Sequence, residues 1–402
     1  MKSPVVVPVR QDIPADRVDD LERTLVEGLE RAGVWRRIRP GLRVAITSGS
    51  RGFSYNVTVL RTVVAELKSR GAEPFIFPAM GSHGGSTAEG QERVLRDLGI
   101  TPESVGAPIR SCMEVVQLGT TASGMPVFCD RLAYEADAIV LFNRVKPHTA
   151  FRGPVESGLV KMAVVGMGKR HGAEAAHRAG LSSQVLLEGF QLVREKARLL
   201  CGIATVENFR EEAAELQVLL PEEIPEREPL LLQKAWHYLP RLPFDQLDVL
   251  VVDRMGKDIS GTGMDVNVIG IHRRIGGTGL PDIRTIVVLD LTPATHGNAL
   301  GVGFADLVPR RLVDKIDFGV TYANVITTGF YGSGKVPVTL PTAREAVEVA
   351  LRPFEPDAVR LVRIRDTKHL DTLWVSQALL PEVEANPHLH VVGDPQPLDI
   401  EE

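Results

Sequence analysis

Apolar and polar positions alternate along the chain in two rhythms. Short β-rich apolar runs, bounded by glycine or proline, are followed by stretches with helical spacing. "RVAITSGS" (Arg43 to Ser50) predicts a buried strand and "YNVTVLRTVVAELKSRG" a helix stopped by Gly71. "EPFIFPAMGSHGG" predicts the next strand with its loop, and "TAEGQERVLRDLG" a helix capped at Thr87 and ended by Gly99. "DAIVLFNRVKPH" predicts another strand and loop, and "SSQVLLEGFQLVREKARLL" a strong helix capped at Ser182 or Ser183. This βαβ rhythm predicts a mostly parallel sheet with helices on both faces.

Residues 219–246 ("LLPEEIPEREPLLLQKAWHYLPRLPFDQ") shift to Pro and Glu and predict an inter-domain connection with a helix inside it. A second α/β run follows in "LDVLVVDRMGKD", "IRTIVVLDL" and "REAVEVALRPF". The expectation is two α/β domains with mainly parallel sheets, residues 1–245 and 246–402. The length of 402 residues agrees with two or three domains. No internal repeat or low-complexity segment interrupts the pattern.

Composition removes several function classes. Apolar residues make up 44%, enough for a sizeable core, and the net charge is −5, so no basic patch points to nucleic acid or a membrane surface. No apolar run approaches the ~18 residues of a membrane span. At the N-terminus, charge returns before a signal-peptide core develops. Cys112, Cys129 and Cys201 form no Cys-x-x-Cys pair and suit a reducing cytoplasm.

Ligand sites in open α/β sheets form where strands end in loops. Three such loops carry unusual chemistry: "ITSGSRG" ends with Arg51, "PAMGSHGGS" holds His83 between glycines, and "FNRVKPHT" ends with His148. Each alone reads equally well as a solvated turn residue; three in one domain point to a shared pocket. Imidazole titrates near neutral pH, so His83 and His148 are candidate acid/base groups, and two such groups suit inversion of a stereocentre. Lys161, in "ESGLVKMAVVGMGKRHG", is either a lysine reaching to solvent or one that bonds covalently to a substrate or cofactor. His171 and His177 lie six residues apart, too far around a helix to make a zincin pair. "GFYGSGKV" puts Val336 where a P-loop needs Ser or Thr, and "GMGKRHG" displaces the last glycine of a dinucleotide fingerprint.

Taken together, "SGSRG", "GSHGGSTAEGQ", "KPHTAFRG", "ESGLVKM" and "GKRHGAEAAH" resemble the nickel-dependent lactate racemase superfamily, whose members use a nickel-pincer nucleotide. The resemblance implies an isomerase, a racemase or epimerase of a 2-hydroxy acid, built as two α/β domains with the active site in the inter-domain cleft. It implies that Arg51 holds the substrate carboxylate, that His83 and His148 are the acid/base pair, that Lys161 carries the cofactor through a thioamide bond, and that His177 ligates nickel. Ser157 and Gly158 would then lie on the cofactor, with Gly153 and Gly158 leaving room for the nucleotide. Its phosphate would take the free N–H groups at the start of the 157–165 helix.

The chain departs from the family in having "RGPVESGLV" between histidine and lysine, and its second domain offers only Lys257 and Asp258 in "RMGKDISGTGMDVN" as substrate contacts. The implied partners are a small 2-hydroxy acid, including sugar acids, and the enzymes that synthesise the cofactor. The implied chemistry is reversible hydride transfer from C2. The rival readings are a non-catalytic carrier of the nickel nucleotide and a metal-dependent hydrolase.

Overall fold

A computed structural model describes residues 3–401. The chain divides into two compact units, one from Pro14 to Leu239 and one that joins the residues through Ile13 to those from Pro240 onward.

The Pro14–Leu239 unit is built on a five-stranded sheet in the order Glu73–Pro78, Arg43–Ser48, Ala138–Arg144, Leu199–Glu207, Ala213–Leu219. The first four strands run parallel and the last is antiparallel. Arg43–Ser48 is buried at five of its six positions, the near-continuous apolar run that a parallel strand covered on both faces requires. The helices Asn56–Ser69, Ala88–Asp97 and Ser183–Lys196 form where the spacing predicts them. Thr87 caps the second of these and Ser182, rather than Ser183, the third. A separate hairpin pairs Val115–Thr120 with Pro126–Asp130.

The proline- and glutamate-rich stretch is more than a connection. Its helix, Ile224–Tyr238, buries Leu231, Leu232 and Ala235 in the core of the Pro14–Leu239 unit. Two prolines mask the amphipathic pattern: Pro225 stands in the first turn, where its missing N–H has no helical partner, and Pro229 lies inside the helix.

The other unit has a nine-stranded sheet. Its strands Val338–Leu340, Leu307–Pro309, Asp282–Val288, Gln246–Val252 and Leu361–Ile364 are parallel neighbours. Thr372–Ser376, Val5–Gln11 and Leu389–Val391 continue it with antiparallel pairing. The structure therefore differs from the 1–245/246–402 division. Val5–Gln11 pairs with Thr372–Ser376, more than 360 residues away in sequence, from Val6–Ser376 to Arg10–Thr372. Local patterning identifies a strand but carries no information about so distant a partner. The junction falls at Leu239–Pro240 rather than at 245. No helix among the described residues is long and apolar enough to cross a membrane.

Candidate active site

The order of the five-stranded sheet decides which loops are neighbours. Arg43–Ser48 lies between Glu73–Pro78 and Ala138–Arg144. The chain leaves this strand to one side and returns on the other, so the strand marks a topological switch point. Arg51 follows the central strand, His83 follows one neighbour and His148 the other. The three candidate residues thus stand on loops at the carboxyl ends of three adjacent parallel strands.

The His148 loop is internally braced. The His148 N–H donates to Glu156 Oε2 at 2.6 Å, and the Gly153 N–H donates to Glu156 Oε1 at 3.3 Å. Burial raises the Glu156 carboxyl above its ordinary value, against the lowering effect of these N–H groups and Arg152. Arg152 donates to the His148 carbonyl at 2.7 Å and lies 4.7 Å over the Trp236 ring. The Phe151 ring lies 4.5 Å from the imidazole. The Ala150 N–H donates to His148 Nδ1 at 3.1 Å, and Lys161 Nζ stands 2.8 Å from Nε2. With Nδ1 accepting, a neutral imidazole carries its hydrogen on Nε2. That hydrogen points at Nζ, a geometry that accommodates Lys161 as an amine with a lone pair.

Lys161 ends a short helical turn, Leu159–Lys161, which runs into a π-helical turn, Met162–Gly166. Such turns recur at functional sites because they re-aim side chains. Leu159 and Val160 are fully buried and set the register of the turn; each apolar side chain of this size contributes about 1.5–3 kcal/mol on burial. The π turn also touches the His83 loop, since the Gly81 N–H donates to the Gly166 carbonyl at 3.2 Å.

Three expectations for this turn are corrected. Its N–H groups are not open to a phosphate, because the Val160 N–H donates to Glu228 Oε2 at 3.0 Å and the Leu159 N–H also engages this carboxylate. The space beside Gly158 where a side chain would project is filled by the Glu228 carboxylate rather than left for a nucleotide. Gly153 likewise faces the Ser183 hydroxyl. Both glycines make space for the protein's own side chains. Ser157 exchanges backbone hydrogen bonds with Lys146. Glu228 is fully buried and its Oε1 finds no hydrogen-bond partner. Desolvation pushes its carboxyl up to about 7, opposed by the two N–H groups.

Arg51 lies close to Arg144, and desolvation first, then the Arg144 charge, lowers its pKa. Arg144 is the last residue of its strand and forms an ion pair with Glu207. Burial lowers its pKa. Two guanidinium groups at adjacent strand ends suit an anion, since the planar fork pairs with a carboxylate at two points. His83 is exposed on its loop. His177 is exposed in the last turn of the Lys169–Arg178 helix. His171, on the same helix, lies 5.6 Å from the Phe128 ring, and Glu174 pairs with Arg170 at 2.6 Å. Among the described residues, no group of three or more His, Cys, Asp or Glu side chains could hold a metal ion.

Lys257 and Asp258 belong to the other unit, after its Gln246–Val252 strand. Lys257 Nζ donates to the Gly261 carbonyl at 2.8 Å and to Asn324 Oδ1 at 3.2 Å. Asp258 Oδ1 accepts from the Thr292 hydroxyl at 2.5 Å.

Sequence reasoning missed Arg144, Glu228 and Lys169. Arg144 had a usable signal: it is a charged residue closing an apolar strand three residues before Pro147-His148. Glu228 had none, because its partner turn lies some 70 residues away.

Residues 14–186 match the lactate racemase N-terminal domain family. The fold is similar to that of the lactate racemase apoprotein from Thermoanaerobacterium thermosaccharolyticum, with a TM-score of 0.55 at 13% identity, covering 90% of this chain and 98% of that one. No curated protein sequence matches the chain.

Proposed function

From the premise that this chain belongs to the lactate racemase superfamily through its residues 14–186, we propose that it inverts the C2 centre of a 2-hydroxy acid with a nickel-pincer nucleotide tethered to Lys161. The match of residues 14–186 to the lactate racemase N-terminal domain family supports an isomerase of the racemase type and a nickel cofactor. The observation that carries the finer reading is the pairing of Lys161 Nζ with His148 Nε2 at 2.8 Å, on a strand end next to the one that leads to Arg51.

The residues present fit such a group. Lys161 offers a primary amine held against a ring nitrogen, and His177 offers an exposed imidazole as a nickel ligand. A soft donor set completed by sulfur suits Ni(II). Lys161, Ser157 and Gly158 stand on the cofactor side of this reading. When bound, the group supplies a centre that accepts hydride from C2 and returns it.

The protein's own residues supply the rest. Arg51, with the Arg144 charge beside it, holds the substrate carboxylate and so fixes C2. One imidazole of the His83/His148 pair takes the hydroxyl proton as the C–H bond breaks. The other delivers a proton to oxygen when the hydrogen returns to the opposite face. A carrier would need neither histidine, and a hydrolase would need a fuller set of protein ligands for its metal.

The test is the fate of deuterium at C2 in ordinary water with cofactor-loaded protein. Hydride return keeps most of the label in the inverted product. Abstraction as a proton by imidazole loses it, because imidazolium protons exchange with solvent far faster than turnover of about 10 s⁻¹. Extensive washout at early conversion refutes the hydride route. Nickel content per chain tests the ligand: His177→Ala should lower it well below the level of His171→Ala, and equal loss excludes His177.

A further inference from the structure

We propose that Lys169, Asp130 and Gln91 form a buried positioning post that fixes the His83 loop, acting on the reaction through His83 alone. This inference rests on the reading of His83 as an acid/base residue.

Lys169, Asp130 and Gln91 are all fully buried. An ammonium has three N–H donors, and Lys169 Nζ meets three acceptors. It donates to the Pro78 carbonyl at 2.5 Å, to Gln91 Oε1 at 3.0 Å and to Asp130 Oδ2 at 3.0 Å. Pro78 ends the strand before the His83 loop, and Gln91 lies in the first turn of the helix after it. One buried charge therefore ties both ends of the loop. Asp130 is anchored in turn, since its Oδ1 accepts from the Ala133 N–H at 3.1 Å and its own N–H donates to the Met167 carbonyl at 2.8 Å.

The post also reaches inside the loop. Gln91 Nε2 donates to the Gly81 carbonyl at 2.8 Å and to the His83 carbonyl at 3.3 Å. With Oε1 taken by the ammonium, the amide cannot flip without losing all three bonds. Gly81, Gly84 and Gly85 all have positive φ, so the loop's local preferences do little to define it. Lys169 itself sits at φ 53°, a left-handed conformation costly for a side chain with a Cβ. A buried lysine held in such a backbone, with two of its three donors on the two ends of one loop and the third on a buried carboxylate, is more than packing requires.

The proposal predicts a specific non-additivity. Gln91→Glu keeps an acceptor for Lys169 but loses the donors to Gly81 and His83; Gln91→Met loses both. In cofactor-loaded protein each should lower kcat on the order of 10- to 100-fold, the cost of misplacing a catalytic group by about 1 Å, with KM changed less than about threefold. In a His83→Ala background the same substitutions should have almost no further effect. A full additional loss there would overturn the proposal, because the post would then act by another route.

A second readout needs no activity. In apo protein, NMR of the His83 imidazole should show one ordered environment in the wild type and line broadening or several environments in both variants. An unchanged His83 signal in a folded Gln91→Glu or Gln91→Met protein would also overturn it. If His83→Ala alone retains full activity, the acid/base reading fails while the NMR result still decides whether the post orders the loop.

Discussion

Lys161 and Lys169 are eight residues apart on one segment, and their surroundings are opposite. Lys169 is fully buried and its three donors are matched by a carbonyl, an amide oxygen and a carboxylate. Lys161 is half-buried and faces a ring nitrogen whose partner nitrogen already accepts a backbone N–H. Every N–H donor of Lys169 is thus engaged by the protein's own acceptors. The Lys161–His148 contact accommodates an amine with a lone pair when the imidazole hydrogen sits on Nε2. The two differ in burial and in the kind of partner that Nζ meets, a matched set of oxygen acceptors for Lys169 and an imidazole for Lys161.

The largest expected effect breaks this comparison if it fails. Lys161→Met should abolish the covalent adduct and turnover yet change unfolding free energy by less than Lys169→Met does, since Lys161 is half-buried and Lys169 wholly buried. Lys169→Met leaves Asp130 buried and unpaired and should cost about 3–5 kcal/mol. Intact-mass spectrometry of protein made alongside the cofactor pathway, with urea unfolding of both variants, checks the pair. An adduct that survives Lys161→Met, or a Lys169→Met protein of wild-type stability, would reverse the assignment.

Next come the histidines. His83→Ala and His148→Ala should each lower kcat/KM on the order of 10²- to 10⁴-fold, the usual range for an acid/base group. His148→Ala should also slow adduct formation at Lys161, which His83→Ala should not. Time-resolved mass spectrometry separates these two outcomes. Equal adduct rates in both variants would remove His148 from the attachment of Lys161.

A smaller effect concerns the two arginines. Arg51→Gln should raise KM with little change in kcat if it only grips the carboxylate, by a factor on the order of 10 to 100 for a lost charged hydrogen bond of about 1.5–3 kcal/mol. A variant whose KM is unchanged takes Arg51 off the substrate.

Much of the Pro14–Leu239 unit is legible in the sequence, because its signals are local. Burial of five positions in Arg43–Ser48 reads as a continuous apolar run, and the caps at Thr87 and Ser182 are side chains accepting from the N–H three residues ahead. Arg51, His83 and His148 are legible as a group for the same reason: each lies in the loop that follows a strand the apolar pattern identifies. What stays hidden is set by contacts between distant residues. The Val5–Gln11 strand joins the other unit through pairing with Thr372–Ser376. Gly153 and Gly158 read as space for a ligand, and the space is filled by Ser183 and Glu228, which lie elsewhere in the sequence. The matched donors of Lys169 meet acceptors on three separate elements.

Glu228 sharpens the comparison from the side of the acid. It stands behind the Lys161 turn, wholly buried, with one oxygen held by the Val160 N–H and the other without a partner. Where Lys169 has a counter-charge, Glu228 has only N–H dipoles, and burial outweighs them, so its carboxyl rises from 4.5 to about 7. The native state therefore binds this proton more tightly than the unfolded chain does. Stability from it is fully present below pH 4.5 and is lost as pH rises through about 7. A rise of this size is worth about 3 kcal/mol at its limit. Glu228→Gln keeps an acceptor for the Val160 N–H and cannot ionise, so the wild type should lose stability relative to the variant between pH 5 and 8, by about 2–3 kcal/mol. Urea midpoints of both proteins at half-unit pH steps give this difference directly. A difference that stays flat across the window would mean that Glu228 is charged in the folded protein and that an anion-compensating contact holds it behind the Lys161 turn.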